Sequence, residues 1–517
     1  MIRRMAAWTA AATLAGTACA EDLSEWRGAG RDGTVAGGPN LIEAMPTNGL
    51  KALWDVPIPG RDAGNYSSPV GADGRAYVHV SWLRMRPIET RRLNRDVRKR
   101  LGAEPPKELT AELAAQLEAA RLGEERRALT GRPLDTWASE WIAANTGTNA
   151  ADKAVRTFAG DRLKRGANAL SADGWVKLLS LGDVTFASQA ELEKALAGAG
   201  LAADDARRID GAMAKEESYR EDTLVCVNLG DGTVAWQKAW PTVNSGRGAS
   251  NTPCVRDGRV YFVGCAGTVY CLDAKTGETM WTADKAAGGQ TDSSVTVTDG
   301  RLIVQSGKGL LILDAASGKV LLHKGDIKSN SNSPSLWQTN GKTYVIAAGD
   351  TISCVDPADG RILWQVPGSK WTTPAVAGDT MAVAVSEKGV YVYRLSMAEP
   401  RQVAFVEVKS RSCSPVTDGQ RVYVLARDTG FCLDAATGEE LWRSGGNNDT
   451  YASPLLADGK LIGNHRRGLL VYDAATGKAL GSADITFAEC TSLGLVDGRL
   501  LARDDDSLAC YDLRARR

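Results

Sequence analysis

The sequence has no excess of charge of either sign, because Lys plus Arg number 62 and Asp plus Glu also number 62. A balanced chain has no overall attraction to polyanions, and we expect no nucleic-acid partner. Beyond residue 20, no segment approaches the run of about 18 apolar residues that a transmembrane helix needs. The three histidines, at 79, 323 and 465, lack metal-ligand spacing. Neither a phosphate-binding loop nor a Gly-x-Ser-x-Gly elbow is present. We therefore expect no transmembrane segment and no site of these enzyme types.

Cysteine occurs ten times, yet no two cysteines are adjacent and no Cys-x-x-Cys-His haem attachment is present. Half of them occupy matching places in successive repeats, which puts them on different structural units that cannot generally reach one another. We expect these to be small apolar strand residues rather than disulfides. They are Cys226, Cys271, Cys354, Cys432 and Cys510.

Residues 1–20 have the pattern of a secretory signal peptide. Arg3 and Arg4 precede a short run of small apolar residues, and Ala18-Cys19-Ala20 offers a small-x-small cleavage site. The chain is therefore predicted to be exported, periplasmic or otherwise extracytoplasmic. Acylation of Cys19, which would give a lipid anchor, is the alternative that we rank second, because Gly16 replaces the leucine-like residue expected before a lipoprotein cysteine.

A repeat of about forty residues dominates the rest of the chain. Residues 252–282 and 414–443 carry the same pattern, and the marker position of Pro253 recurs at 294, 334, 374, 415, 454 and 493. Each copy contains four strand signals, A to D, separated by Gly-containing turns. Four antiparallel strands at this period are the signature of a propeller blade.

The remaining fragments complete eight blades. Residues 68–82 supply the first half of blade 1, and its second half follows only at residue 222. Blade 8 lacks a strand D, which residues 50–56 would supply, closing the ring and removing two open sheet edges. We therefore predict an all-β, eight-bladed propeller over 50–82 and 222–517, preceded by a leader at 21–49.

Residues 83–221 are predicted to be a mainly α-helical insertion into the B–C hairpin of blade 1. The segment 107–131 is rich in Ala, Leu, Glu and Arg, with leucines at helical spacing. Trp137, Trp141 and Trp175 are expected to form its small core. Because B–C and D–A connections lie at the same end of a blade, the insertion emerges on the face of the propeller that carries the D–A loops.

The turn before strand D resembles the tryptophan-docking motif of the pyrroloquinoline-quinone-like repeat family. Matching stretches run from Asp273, Asp356 and Asp434 to a tryptophan eight residues on, and the resemblance covers about residues 50–82 and 222–517. It implies a quinoprotein-like propeller in which tryptophans pack between blades and donate the indole N–H to a backbone acceptor. The residues assigned this structural role are Trp54, Trp236, Trp281, Trp364 and Trp442.

The family has two branches. The resemblance implies, for the enzymes, a quinone cofactor on the propeller axis with a calcium or lanthanide ion, and in many of them a disulfide between adjacent cysteines. The other branch resembles an outer-membrane protein assembly factor that has eight minimal blades and no cofactor. Minimal blades and the lack of a Cys-Cys pair favour the second branch, so we expect no cofactor, no metal and no enzymatic activity.

Any binding site should lie on the D–A face, where the longer and more unusual loops gather. Arginine and aromatic side chains there are typical anchors of protein interfaces. The candidate residues are Tyr66, Arg247, Asp292, Asn330, Lys370, Trp371, Arg411, Asn448, Asp449, Tyr451 and Glu489.

Three functions remain open at this stage. The preferred hypothesis is a monomeric, non-enzymatic scaffold that binds a partner protein of the cell envelope. The first alternative is a dehydrogenase dependent on pyrroloquinoline quinone and a metal, with Trp371 stacked on the cofactor, Asp449 or Glu489 on the metal and Arg247 or Arg411 on a carboxylate. The second is a receptor for a glycan or another small polar ligand.

Overall fold

The fold is described from a computed structural model. It describes residues 23–28, 31–58, 64–149, 152–243, 248–369, 371–385, 388–408, 413–426, 429–445, 452–465 and 468–515. The chain forms two compact units, one of residues 1–84 with 219–517 and the other of residues 85–218.

Most of the ordered secondary structure consists of short strands. Along the chain they are β1 (Thr34–Val35), β2 (Ala52–Pro57), β3 (Val70–Ala72), β4 (Arg75–Pro87), β5 (Arg91–Leu93), β6 (Val184–Phe186), β7 (Glu216–Asn228), β8 (Val234–Thr242), β9 (Cys254–Arg256), β10 (Arg259–Val263), β11 (Val269–Asp273), β12 (Thr279–Ala283), β13 (Thr296–Thr298), β14 (Arg301–Ser306), β15 (Gly309–Asp314), β16 (Val320–Lys324), β17 (Ser335–Thr339), β18 (Lys342–Ala348), β19 (Thr351–Val355), β20 (Ile362–Pro367), β21 (Ala375–Ala377), β22 (Thr380–Val385), β23 (Gly389–Arg394), β24 (Arg401–Glu407), β25 (Val416–Thr417), β26 (Arg421–Leu425), β27 (Gly430–Asp434), β28 (Glu440–Ser444), β29 (Leu455–Ala457), β30 (Lys460–His465), β31 (Gly468–Asp473), β32 (Ala479–Ala483), β33 (Gly494–Val496), β34 (Arg499–Arg503) and β35 (Ser507–Asp512).

The described strands of the first unit form eight sheets, seven of four antiparallel strands and one of five strands. Blade 1 contains β3, β4, β7 and β8, and blades 2 to 7 each take the next four strands from β9 to β32. Blade 8 contains β33, β34 and β35, and β2 from the N-terminal part of the chain pairs antiparallel with β35 as its fourth strand. Strand β1 adds in parallel to blade 7. The predicted fold class, an all-β quinoprotein-like propeller, is confirmed.

The A–B turns show why Asp-Gly recurs in the repeat. In blade 2, Asp257 and Gly258 both have positive φ, of 52° and 70°. Two consecutive residues with positive φ make a tight hairpin turn whose twist matches that of the flanking strands, and Asp-Gly tolerates this backbone well. The turn places Arg259 at the start of strand B opposite Asp273 at the end of strand C, a favourable cross-strand charge pair.

Aspartates at the C–D turns are stabilised in their charged form. Asp434 accepts hydrogen bonds from the backbone N–H groups of Ala436 and Thr437, at 2.9 and 2.8 Å, and one from the Thr437 hydroxyl at 3.0 Å. The backbone bond from Thr437, followed by its hydroxyl, lowers the pKa of Asp434. The Asp-x-x-Thr-Gly sequence therefore encodes a closed turn rather than a reactive carboxylate.

Tryptophans of strand D hold adjacent blades together. The indole N–H of each donates to a backbone carbonyl at 2.9–3.1 Å. The pairs are Trp54 with Leu229, Trp236 with Ala274, Trp281 with Ala315, Trp364 with Ser396 and Trp442 with Ala474. In each pair the acceptor belongs to the neighbouring blade, so these five side chains lie between blades, where the family resemblance implied that they pack.

A closed ring of hydrogen bonds encircles the axis at the start of strand A. In each blade, the backbone N–H of a Ser or Thr donates to the side-chain hydroxyl of the equivalent residue in the next blade, at 2.9–3.1 Å. The order is Ser68, Thr252, Ser294, Ser333, Thr373, Ser414, Ser453, Ser492 and back to Ser68. We call these residues the hydroxyl ring. The ring has one member per blade and returns to its start, so the circle of blades is complete.

The described start of the leader, residues 23–28 and 31–33, lies inside the ring of blades. Its backbone forms hydrogen bonds with strand A residues of blades 8, 1, 2, 6 and 7, at Leu495, Gly71, Val255, Thr417 and Leu456. These partners follow the hydroxyl ring in sequence, so this segment lies on the A–B side of that ring. The leader therefore fills the channel on the side opposite the D–A face.

The second unit, residues 85–218, is mainly helical. Its helices are α1 (Arg95–Leu101), α2 (Ala111–Leu122), α3 (Glu124–Arg127), α4 (Gly131–Asn145), α5 (Lys153–Arg165), α6 (Ala172–Leu181), α7 (Gln189–Gly198) and α8 (Ala203–Ala212), with a 3-10 helix at Gly166–Asn168 and a two-stranded sheet of β5 and β6. Trp175 is fully buried in its core, whereas Trp137 and Trp141 are only partly buried. In sequence the unit is inserted between β4 and β7, strands B and C of blade 1. Both strands continue beyond the predicted boundaries at 83 and 221, because β4 ends at Pro87 and β7 begins at Glu216.

No helix among the described residues is long and apolar enough to cross a membrane.

Candidate functional site

A cavity of about 330 Å³ lies at the axis of the first unit, on the D–A side of the hydroxyl ring. We call it the cup. Its lining combines aromatic rings, hydroxyl groups and one carboxylate. The lining residues are Trp26, Tyr66, Ser68, Ser250, Thr252, Asp292, Ser294, Ser331, Ser333, Trp371, Ser414, Ser453 and Cys490.

Trp26 of the leader forms the floor of the cup. Its indole N–H points to the hydroxyl of Ser492, a member of the hydroxyl ring, at 3.4 Å. The guanidinium carbons of Arg27 and Arg31 lie 5.5 and 6.0 Å from the centroid of the indole. These distances fall within the range of cation–π contacts, so the two arginines hold the indole in place.

The two arginines are buried in different ways. The Arg31 guanidinium is 3.2 Å from the Glu25 carboxylate, and both side chains are completely buried. The Arg27 guanidinium instead contacts backbone carbonyls, among them those of Arg31 at 3.3 Å and Ser414 at 3.2 Å. Burial lowers the pKa of Arg27 to about 10, which leaves it charged at neutral pH. The floor of the cup therefore lies over two buried guanidinium groups, one paired with Glu25 and the other bonded to backbone carbonyls.

The ring hydroxyls keep donor capacity for a ligand. A Ser or Thr hydroxyl has one O–H donor and two acceptor lone pairs, and the ring bond uses one lone pair. A hydroxyl that accepts a hydrogen bond becomes a stronger donor through polarisation. Six ring members line the cup, namely Ser68, Thr252, Ser294, Ser333, Ser414 and Ser453. The Ser250 hydroxyl, in the wall, has no hydrogen-bond partner among the described residues.

Three of the predicted site residues come together in the cup. Tyr66, Asp292 and Trp371 all line it, although they lie in loops that precede blades 1, 3 and 5. The backbone fixes two of these loops, since the Tyr66 N–H donates to the Ala249 carbonyl at 2.8 Å and the Asp292 N–H donates to the Asn330 carbonyl at 2.7 Å. The Trp371 side chain stays 58% exposed at the rim. At this exposure the indole is available to stack on a ligand or a partner.

Two further candidates, Asn330 and Glu489, are described and do not line the cup. Both are exposed, and Asn330 contributes its backbone carbonyl to the Asp292 loop. The remaining candidates, Arg247, Lys370, Arg411, Asn448, Asp449 and Tyr451, lie outside the described residues.

Sequence reasoning did not identify the floor or the hydroxyl ring. The ring had a signal, because each repeat carries Ser or Thr just before strand A, one residue ahead of the marker in all copies but blade 3, where Ser294 is itself at the marker position. The leader at 21–49 was predicted only as a segment that precedes the propeller. Nothing in its composition indicates that it enters the channel.

The comparison with protein families decides the affiliation. Residues 220–342 and 348–510, more than half of the chain, match the family described as outer membrane protein assembly factor BamB. The chain belongs to this family. The predicted relationship to quinoprotein-like repeats of the BamB branch is thereby confirmed.

Individual relatives of this BamB family member are distant. The crystal structure of BamB from Moraxella catarrhalis is similar with a TM-score of 0.47 at 17% identity, covering 56% of this chain and 91% of that one. A quinohemoprotein alcohol dehydrogenase structure from Comamonas testosteroni has a TM-score of 0.44 at 12% identity, and the match covers 58% of this chain and 73% of that one. The curated sequence of a quinohemoprotein alcohol dehydrogenase from the same organism is 30% identical over 124 residues, which is 22% of this chain. The match spans only 17% of that enzyme's length.

The described lining of the cup does not fit a quinone and its metal. Calcium is held by six to eight oxygen ligands, several of them usually carboxylates. In the described part of the chain the lining supplies one carboxylate, Asp292, and no group of three or more His, Cys, Asp or Glu side chains is placed to hold a metal. A cofactor with carboxylates would also need cationic partners. Arg27 and Arg31 lie beneath the indole and are bonded to protein groups, and Arg247 and Arg411, which the enzyme hypothesis assigned to this role, lie outside the described residues.

Proposed function

We propose that the chain is an exported, monomeric scaffold of the bacterial cell envelope, which binds a partner protein through the D–A face of the propeller. Membership of a family described as an outer membrane protein assembly factor supports an envelope role. The signal-peptide pattern of residues 1–20 supports export. The function needs neither a cofactor nor a metal.

The observation that carries the partner-binding proposal is the exposure of Trp371. Its residue surface is 58% exposed at the rim of the cup. Tryptophan is among the residues that contribute most to binding at protein interfaces, and exposing it in the free protein costs hydrophobic free energy. It sits on a closed ring of blades, so a partner meets a preorganised surface, which reduces the entropy lost on binding.

Site-specific photo-cross-linking in cells tests this proposal. A photoreactive phenylalanine analogue at position 371 is expected to yield one discrete adduct with an envelope protein, identified by mass spectrometry. Phe405 provides the matched control, because it is an exposed aromatic residue of similar accessibility, 45%, on strand D at the outer edge of blade 5. The same analogue at position 405 should give no such adduct.

Two results contradict the proposal. One is the absence of any adduct from position 371 in cells where the protein is folded and exported. The other is the same set of adducts from both positions, which would indicate random collision rather than a defined interface. A Trp371→Ala variant with unchanged thermal stability and undiminished recovery of the partner in pull-downs would also place the interface elsewhere.

A further inference from the structure

We infer that the cup is a binding site for a neutral saccharide of one or two rings. The inference goes beyond the scaffold function and does not depend on a partner protein. It rests on three properties of the described lining, namely its hydroxyl groups, its aromatic rings and its balance of charge.

The hydroxyl groups of the cup have the same hydrogen-bonding capacity as the hydroxyl groups of a sugar. Each sugar hydroxyl both donates and accepts hydrogen bonds, as each serine or threonine hydroxyl does. Six members of the hydroxyl ring lie around one axis, and each is fixed in position by the N–H of its neighbour. Within the described part of the chain, none of the six uses its O–H as a donor. Ser250 adds a hydroxyl that has no partner among the described residues. A ligand with hydroxyls on all sides could bond to several of them at once.

The aromatic rings provide surfaces for the apolar faces of a sugar. A pyranose carries C–H groups on its two faces, and these pack well on the negative face of an aromatic ring. Trp26 covers the floor, Tyr66 stands in the wall and Trp371 lies at the rim. The cavity volume of about 330 Å³ is near the lower end of the range of small-molecule sites, about 300–1,000 Å³, and therefore suits a small saccharide rather than a long chain.

The charges around the cup disfavour ions of either sign. A cation on the floor would approach the Arg27 and Arg31 guanidiniums, which already lie 5.5 and 6.0 Å from the Trp26 ring. An anion in the cup would approach the Asp292 carboxylate of the wall. A neutral polyol avoids both repulsions, and its hydroxyl can donate a charge-assisted hydrogen bond to Asp292.

Calorimetric titration of the purified, folded protein tests the inference. The probes are a panel of neutral saccharides (methyl glucosides, methyl galactosides, maltose, cellobiose and N,N′-diacetylchitobiose), with tetramethylammonium and glucuronate as charged competitors. We expect at least one neutral saccharide to bind with one site per chain, and to bind more tightly than either ion. Cys490 gives a second readout, because it is the one cysteine among those described that is not buried and it lines the cup. The bound saccharide should slow its alkylation.

The Asp292→Asn substitution distinguishes a neutral saccharide, a cation and an anion as ligands, because it should change the affinity for each of them differently. It removes the charge but keeps the shape, so the neutral saccharide should bind about tenfold more weakly. Had the cup been a cation site, the same change would abolish tetramethylammonium binding, and had it been an anion site, glucuronate would bind more tightly. Asp326→Asn is the control, since Asp326 is an exposed aspartate of the loop between blades 3 and 4 that does not line the cup. It should leave the affinity unchanged.

The inference is overturned if no saccharide of the panel gives heat above dilution or protects Cys490, or if either ion binds more tightly than every saccharide. It is also overturned if Asp326→Asn weakens binding as much as Asp292→Asn does. None of these measurements involves a partner protein. A negative saccharide titration would therefore not contradict the scaffold proposal, and a negative cross-linking result would not contradict the saccharide site.

Discussion

Replacing Arg31 by alanine is expected to lower the unfolding free energy by about 3–5 kcal/mol, the cost of breaking a buried ion pair by removing one partner. The Arg31 and Glu25 side chains are both fully buried, with 3.2 Å between their charged atoms. Without Arg31, the Glu25 carboxylate keeps Arg256, at 2.9 Å, as its remaining ion-pair partner among the described residues. The change also removes the hydrogen bond that attaches the leader to Ser294 of blade 3. Denaturant-induced unfolding, followed by circular dichroism, measures the effect.

A double variant, Glu25→Gln with Arg31→Met, serves as the control. It removes both charges of the fully buried pair at once and leaves only Arg256, whose side chain is 35% exposed, without its Glu25 partner. It should therefore be clearly more stable than Arg31→Ala. If the Arg31→Ala variant unfolds at the same denaturant midpoint as the unchanged protein, that result would contradict the position of the leader inside the ring of blades.

Trp442→Ala is expected to destabilise the propeller by about 3–5 kcal/mol, the usual effect of truncating a buried aromatic residue. The Trp442 residue is 9% exposed, and its indole N–H donates to the Ala474 carbonyl of blade 7 at 3.0 Å. The indole also packs against Gly477, where an added Cβ would lie 2.4 Å from an atom of the ring. The loss should appear as a lower midpoint in both thermal and denaturant unfolding.

Trp371→Ala is the matched control for this prediction, because the same substitution is made at a residue that is 58% exposed. Its unfolding midpoint should stay close to that of the unchanged protein. Equal destabilisation by both substitutions would contradict the distinction between tryptophans that dock blades and the tryptophan that is available for binding.

The blade architecture was predictable because it repeats. The Asp-Gly turns and the strand D tryptophan recur about every forty residues. A strand that is weakly marked in one copy can therefore be assigned from its position in the other copies. The ladder between β2 and β35 joins the two ends of the chain. The sequence suggested this pairing because the unpaired strand signal at 50–56 matched the strand missing from blade 8.

The side chains that surround the propeller axis were harder to predict, because they come one at a time from many blades. Tyr66 and Asp292 meet in the cup only through the circular arrangement, and no local pattern marks their approach. Trp26 depends on a leader whose described part contains one strand, the two-residue β1, so neither hydrophobic periodicity nor strand propensity indicates its place. The boundaries of the insertion differ from those predicted because β4 and β7 continue as strands beyond the blade.

The central claim, that this propeller is a binding scaffold rather than a quinone enzyme, is tested most directly by calorimetric titration with pyrroloquinoline quinone. The titration is run on the folded mature protein without metal, with calcium and with a lanthanide. The lining of the cup predicts no heat beyond dilution under any of the three conditions. Tight, metal-dependent binding at one site per chain would contradict the claim and would identify the cup as a cofactor site.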